Sequence, residues 1–429
     1  MTQFSNPLLS YREEQLPCGA TFVSKEVRSV PIVAIDIWIA VGAAQDPEEH
    51  LGLSHFYEHM FFKGTERLGV GEMGRAIKGL GGYNNAATAW DYTHYYVVVP
   101  SPGWRRAMEV LVDALRFPLF DPGEIESERQ VIYEEIKRHE DTPWSKFYQE
   151  YNEIAFAHCP YRRRILGTFE TLAGIDREVF RNFFRSRYIS NNMSFVVVGD
   201  VDSDQAREYL ETCMDGIPPS GTGAEDSPYE PIRSPQSFQL GMNINQSYLL
   251  LGHPTPRLAG TRDEAILDLA SILLGEGRSS RLHCLLKEEL GLVSSVSVSF
   301  WSQVKAGLFI TEAVTDMKNL AEVQDRIQAE LDRLISAPPT KEELNRIKSM
   351  ALADYAFSNE TVSAICHTYG SSRIVASIEH AVRYPEIIQS ISAEELSQTL
   401  SRYLREDRLC VGHLLPRDGG SAHLPLTPA

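Results

Sequence analysis

Several things are scarce in this chain of 429 residues, and each scarcity removes a class of explanation. No apolar run approaches the roughly 20 residues that a membrane-spanning helix requires, so no membrane partner is expected. The start, MTQFSNPLLSYREEQLPCG, lacks the basic segment and apolar core of a signal peptide. Lysine and arginine number 41 against 58 acidic residues, a formal net charge of −17. That balance argues against a nucleic-acid partner, which would need a basic face to neutralise phosphates. Cysteine is sparse as well: Cys18, Cys159, Cys213, Cys284, Cys366 and Cys410 stand far apart, with no CxxC pair. Scattered thiols fit a reducing compartment, and a cytoplasmic location is expected.

What the chain does have is 43% hydrophobic content, enough for a large core in two or more domains. Residues 20–24 and the alternating run Ile32 to Val41 predict strands. Glu72 to Leu80 predicts a short helix stopped by Gly81-Gly82, and Tyr83 to Pro100 predicts two strands around Trp90 and Asp91. Amphipathic helices follow at about 103–117, 121–139, 144–157 and 176–187, then a buried strand from Met193. From Gly216 to Pro235 prolines and glycines predict a linker.

Beyond the linker the same order of elements starts again. FFKGT pairs with LLGEG, EIESERQVIYEEI with ELNRIKSMALADY, and FVVVGD with LCVGH, at offsets of about 212, 219 and 213 positions. A nearly constant register across different element types indicates duplication of one α+β unit. The expected domains are therefore 1–215, a linker at 216–235, and 236–429.

The stretch LGLSHFYEHMFFKGT holds His55 and His59 four residues apart, with Glu58 between them. Positions i and i+4 share a helix face, so two imidazoles can grip one ion while Glu58 points nearby. In the repeat register these three fall opposite Leu267, Ala270 and Ser271, so only the first half carries the pattern. Zinc held by two histidines takes a third protein ligand and leaves one position open. The helix at 121–139 offers Glu124, Glu126, Glu128, Glu134 and Glu135, of which Glu128 and Glu135 are two turns apart on one face.

These stretches, with GGYNNAATAWDYTHYY, HCPYRRRILGT and LLGEGRSSRLHCLLKEELGL, resemble the pitrilysin and insulinase family of zinc peptidases, the inverzincins, along nearly the whole chain. The resemblance implies two homologous α/β-sandwich domains, each a mainly antiparallel sheet with helices packed on one face. It implies His55, His59 and Glu135 as Zn2+ ligands, Glu58 as general base, and Glu128 as a carboxylate orienting a ligand histidine. It also implies an edge strand that receives an extended peptide at Asn85, Ala86 and Thr88.

Active single-chain relatives supply an arginine and a tyrosine from the second half to hold the substrate carbonyl. SSRL gives Arg281 for the first, but where the family reads GLAYS this chain reads GLVSS, with Ser294 at the tyrosine position. A serine hydroxyl does not reach as far, and loss of one such donor typically costs ~100 to 1,000-fold in rate. The expectation is a zinc endopeptidase that cleaves peptides or unfolded segments in an enclosed chamber. It would be the metal-bearing subunit of a pair with a homologous non-zinc partner, or with a second copy of itself. The alternative is a non-catalytic subunit like the processing-peptidase relatives that have lost their metal. Arg162, Arg163 and Arg164 are expected to be an exposed structural cluster.

Overall fold

The computed structural model describes residues 6–217, 229, 231–232 and 234–417. Most of the expected linker, and the tail from 418, lie outside the described residues.

The first half opens with β1 (Arg12–Gln15), β2 (Thr21–Glu26) and β3 (Ile32–Ile39), followed by α1 (Leu53–Phe61) and α2 (Glu72–Gly79). The hairpin β4 (Tyr83–Thr88) and β5 (Thr93–Pro100) leads into α3 (Trp104–Arg116), α4 (Pro122–Asp141), α5 (Pro143–Ala155), α6 (Phe169–Ala173) and α7 (Arg177–Arg187). Then come β6 (Met193–Gly199) and α8 (Ser203–Cys213). The second half runs through β7 (Gln236–Met242), β8 (Ser247–Pro256), α9 (Arg262–Gly275), a π-helical segment at His283–Glu289, β9 (Val293–Ser302) and β10 (Ala306–Thr315). It finishes with α10 (Leu320–Ser336), α11 (Lys341–Phe357), α12 (Val362–Val375), α13 (Ile378–Ser390), α14 (Ala393–Tyr403) and β11 (Cys410–Pro416).

The strands form a six-stranded sheet in the order β1-β2-β6-β3-β5-β4 and a five-stranded sheet in the order β7-β11-β8-β10-β9. With β1 set aside, the two follow one plan. The first strand runs parallel to the last, and every other pairing is antiparallel. The fold is α+β, and the duplication expected from the sequence is present in its topology.

Each sheet packs its main core on one face. Ile35, Ile37, Ile39, Tyr95, Val97, Phe195 and Val197 meet α1 and α3 through Phe56, Met60, Leu111 and Leu115. The run Phe195 to Val198 is apolar at every position and fully buried, which requires cover on the other face too. Among the described residues that cover is α12, a helix from the opposite half of the chain. By packing, unit 1 comprises the chain up to Arg138, the first half again from Arg163, and Ala356–Val382. Unit 2 comprises His139–Arg162, the second half up to Tyr355, and the chain from Arg383. The compact units are therefore not the contiguous segments 1–215 and 236–429: α5 lies on the sheet of unit 2, and α12 on the sheet of unit 1.

Glycines make both seats possible. A Cβ on Gly370 of α12 would stand 2.0 Å from Trp38 Nε1, so only glycine lets this helix lie against β3. On the other sheet, a Cβ on Gly252 would meet Tyr151 Oη at 2.3 Å and one on Gly412 would meet Phe147 at 3.1 Å, both aromatics belonging to α5. Tyr151 also donates to the Cys410 carbonyl at 3.1 Å.

Candidate metal centre

The loop before α1 sets the helix in place. Asp46 accepts from the backbone N–H groups of Gly52 and Ser54, both at 3.0 Å, and from Ser54 Oγ at 2.6 Å, which satisfies donors that a helix start leaves open. Gly52 has a φ of 92°, and a Cβ there would stand 2.6 Å from the Leu166 carbonyl. Arg163 donates to the carbonyls of Ala44 (2.6 Å) and Asp46 (3.0 Å) and to Glu48 (2.7 Å). It clamps the loop that carries Asp46 and is not the exposed cluster residue expected. Nothing in a one-dimensional pattern marks Arg163, whose partners lie 115 to 119 positions away, or Asp46, which acts on groups that only the folded loop brings to it.

With α1 so fixed, Phe56, Tyr57, Met60 and Phe61 are buried in the core, and His55 and His59 turn toward α4. Asp121 caps α4 by accepting from the N–H groups of Gly123 (2.8 Å) and Glu124 (3.2 Å). Glu135 Oε2 stands 3.8 Å from His55 Nε2 and 3.8 Å from His59 Nε2. One ligand atom from each of His55, His59 and Glu135 lies within 4.8 Å of the others. Metal–ligand bonds of ~2.0–2.2 Å imply tetrahedral edges of ~3.3–3.6 Å, so the two separations from Glu135 reach a zinc site after shifts of a few tenths of an ångström. Glu134 points away and pairs with Lys137.

Around these three, polar contacts fix orientation. His59 Nδ1 lies 3.0 Å from Glu128 Oε2, which leaves Nε2 as the donor facing Glu135. Lys63 bridges Glu128 and Glu124. The His59 hydrogen bond, with help from Lys63, holds Glu128 below the usual carboxylate range against its burial. Burial pulls His59 down, but the Glu128 hydrogen bond and the charges of Glu58, Glu128 and Glu135 outweigh it, and its pKa is raised. The pocket thus favours a cation.

Glu58 Oε2 accepts from Thr88 Oγ1 at 2.7 Å. Burial raises the Glu58 pKa, opposed by the Thr88 hydrogen bond and the nearby His59, with Glu135 adding to the rise. A carboxyl tuned upward beside a cation-favouring pocket is suited to moving protons.

The other expected residues are placed as follows. Among the described residues β4 is the last strand of its sheet and pairs only with β5, which leaves its outer edge open to an added strand. Thr88 and Ala86 lie on the α1 side, whereas Asn85, paired with Tyr96, lies on the face covered by α12 and does not join the metal centre. Arg281 lies in unit 2 and is committed there, donating to Glu343 (2.8 and 3.1 Å) and Glu330 (3.0 Å). Ser294 lies on the edge strand β9, its Oγ 3.2 Å from the Val314 carbonyl. Leu267 and Ala270 are fully buried in the core of unit 2, so the second copy of the α1 scaffold presents packing in place of ligands.

Comparison with known proteins gives the family and the fold. The model of the insulinase family, peptidase family M16, matches residues 21–168, and the model described as the peptidase M16 inactive domain matches residues 174–351. The uncharacterized zinc protease YmxG of Bacillus subtilis is 28% identical over 382 residues, covering 89% of this chain and 91% of its own. An uncharacterized zinc protease of Rickettsia felis is 27% identical over 401 residues, covering 92% and 95%. A protease from Helicobacter pylori of known crystal structure superposes with a TM-score of 0.88 at 22% identity, over 95% of this chain and 99% of its own. Pitrilysin superposes with a TM-score of 0.79 at 18% identity, over 95% of this chain and 45% of its own. These two likenesses are of fold.

Proposed function

Since the chain belongs to the insulinase family of peptidases, family M16, we propose that it is a zinc-dependent endopeptidase that cleaves peptides or unfolded segments. The observation that carries this reading is the meeting of His55, His59 and Glu135, from two separate helices, beside the half-buried Glu58. The names of the relatives, zinc proteases, support the choice of metal.

His55, His59 and Glu135 hold the ion, with Glu128 setting the His59 ring. When bound, zinc supplies Lewis-acid polarisation and lowers the pKa of water to near neutrality. Glu58, steadied by the Thr88 hydroxyl, takes a proton from the attacking water and delivers it to the leaving amine. The open edge of β4 receives the substrate backbone as an added strand, which selects extended chains over folded ones.

The same proposal includes a partner. With Arg281 bound to Glu343 and Glu330, and Ser294 too short to stand in for a tyrosine, the donors that would steady the oxyanion come from a homologous subunit, or a second copy, that completes an enclosed chamber. A cytoplasmic location rests on the scattered cysteines of the sequence.

The test combines metal analysis with peptide cleavage. Purified chain is expected to carry about one equivalent of zinc at the His55 centre, and Glu58→Gln to keep that zinc while losing ~100- to 10,000-fold in turnover. Activity is expected to be low alone and to rise when the homologous subunit is added. Absence of zinc, or an E58Q variant as active as the parent, would overturn the reading in favour of a non-catalytic subunit. Full activity as a monomer would overturn the partner.

A further inference from the structure

Among the described residues, metal-ligating side chains converge at one other place: Asp36 of β3, His94 of β5 and His367 of α12, all in unit 1 on the sheet face opposite α1. We propose that these three bind a divalent transition-metal ion of the zinc class at a second site, which ties α12 to the sheet.

One ligand atom from each residue lies within 4.8 Å of the other two. Both oxygens of Asp36 stand 3.1 Å from His94 Nδ1, close to the ~3.3 Å edge of a tetrahedral zinc site. Asp36 is 2% exposed and His94 4%. A carboxylate offers about four acceptor positions, yet both Asp36 oxygens turn to a single ring nitrogen. A charge buried that deeply is costly unless well paired, and a dication answers that need better than one shared N–H.

The donors are also positioned in advance. The His94 ring is stacked between Trp38 (centroids 4.2 Å apart, planes at 22°) and Tyr96 (5.6 Å, 13°), which limits its rotation. His367 stands edge-on to it at 5.1 Å and is itself exposed, so it closes the site from the side by which an ion would enter. A cavity of about 480 Å³ borders all three, lined also by Tyr83, Asn85 and Ser363, with room for a water molecule or small anion in a fourth position. Cys366 borders the cavity too, but its Sγ is turned to the carbonyls of Ala34 and Val196 and burial raises its pKa far above the usual thiol range, so it is not a ligand. Two imidazoles and one carboxylate suit zinc and its neighbours in the first transition row and do not suit magnesium or calcium.

The three ligands come from a strand, its neighbour and the helix contributed by the other half of the chain. Ion binding would therefore brace β5, which among the described residues is the one strand paired with β4. This inference stands independently of peptidase activity.

Titration of Zn2+ into the chelator-treated full chain, followed by calorimetry, tests it. The parent is expected to take up two equivalents and His367→Gln one. In the His55→Gln/His59→Gln background, which disables the first centre, one equivalent should remain, and adding H367Q should weaken it by more than the ~10–100-fold that outer partners of metal ligands contribute. Uptake of a single equivalent by the parent, or a second equivalent indifferent to H367Q, would overturn the proposal. Should the H55Q/H59Q protein fail to fold, the comparison of parent with H367Q alone decides.

Discussion

At the residue scale, Glu128 shows how much of a metal centre lies outside its ligands. It touches no ion itself, but its carboxylate fixes the His59 tautomer at 3.0 Å and is neutralised on its far side by Lys63. Glu128→Gln keeps the shape and removes the charge, so Nδ1–H loses its strong acceptor and His59 becomes a weaker donor. Zinc affinity is expected to fall ~10–100-fold, with turnover at saturating zinc little changed. Competition with a chromophoric chelator measures it, and an unchanged affinity would remove Glu128 from the centre. His55 with His59 was legible in the sequence because one helical turn relates them, whereas spacing placed Glu128 and Glu135 on one face and the family resemblance gave them their roles. Asp46 and Arg163 were not legible, since each acts through backbone groups whose position only the folded loop defines. The Asp36, His94 and His367 cluster was hidden for the same reason: strand pairing brings the first two together, and a helix more than 270 positions further on brings the third.

At the scale of elements, the periodic segments were readable and the irregular ones were not. The hairpin of β4 and β5, and the helices α3, α4, α5 and α7, lie close to where alternation and amphipathic spacing put them. The segment from 362 to 403 forms α12, α13 and α14; α14 opens on a capping box of Ser392 and Glu395, whereas α12 and α13 carry helix-weakening residues. α12 carries Gly370 within its length, and α13 contains Pro385. Both features lower helix propensity, and tertiary packing supplies what propensity does not. Gly370→Ala separates the two effects. In an exposed helix this exchange stabilises by about 1 kcal/mol, but here the added methyl would stand 2.0 Å from Trp38 Nε1 and 2.2 Å from Cε2. Overpacking of this kind costs roughly 1–3 kcal/mol, so the net effect should be destabilising. Urea melts of G370A against the parent test this: equal or greater stability would show that α12 is not seated on β3 as described.

At the scale of the whole molecule, the duplication and the crossing of its helices must be taken together. Two copies of one α+β plan could each have kept their own helices, and then either half could stand alone. Instead the sheet of unit 1 is covered by α12 of the second half, and the sheet of unit 2 by α5 of the first. Without α12, the fully buried Val196 and Val198 of β6 and Trp38 of β3, with the nearly buried Ala34, would face water. An apolar face of that kind marks an aggregation-prone surface. Without the sheet of unit 2, Phe147 and Tyr151 of α5 would be equally bare. Residues 1–217 expressed alone should therefore be insoluble or molten despite containing the whole His55 centre, and residues 229–429 should fail in the same way. Expressed together, the two pieces should co-purify and recover zinc binding, since each returns the helix that the other lacks. A soluble, cooperatively melting 1–217 fragment that holds zinc would show that the crossing helices are not needed for either half to fold. Insolubility of both pieces alone, with recovery on mixing, would show that the repeat has become a single folding unit.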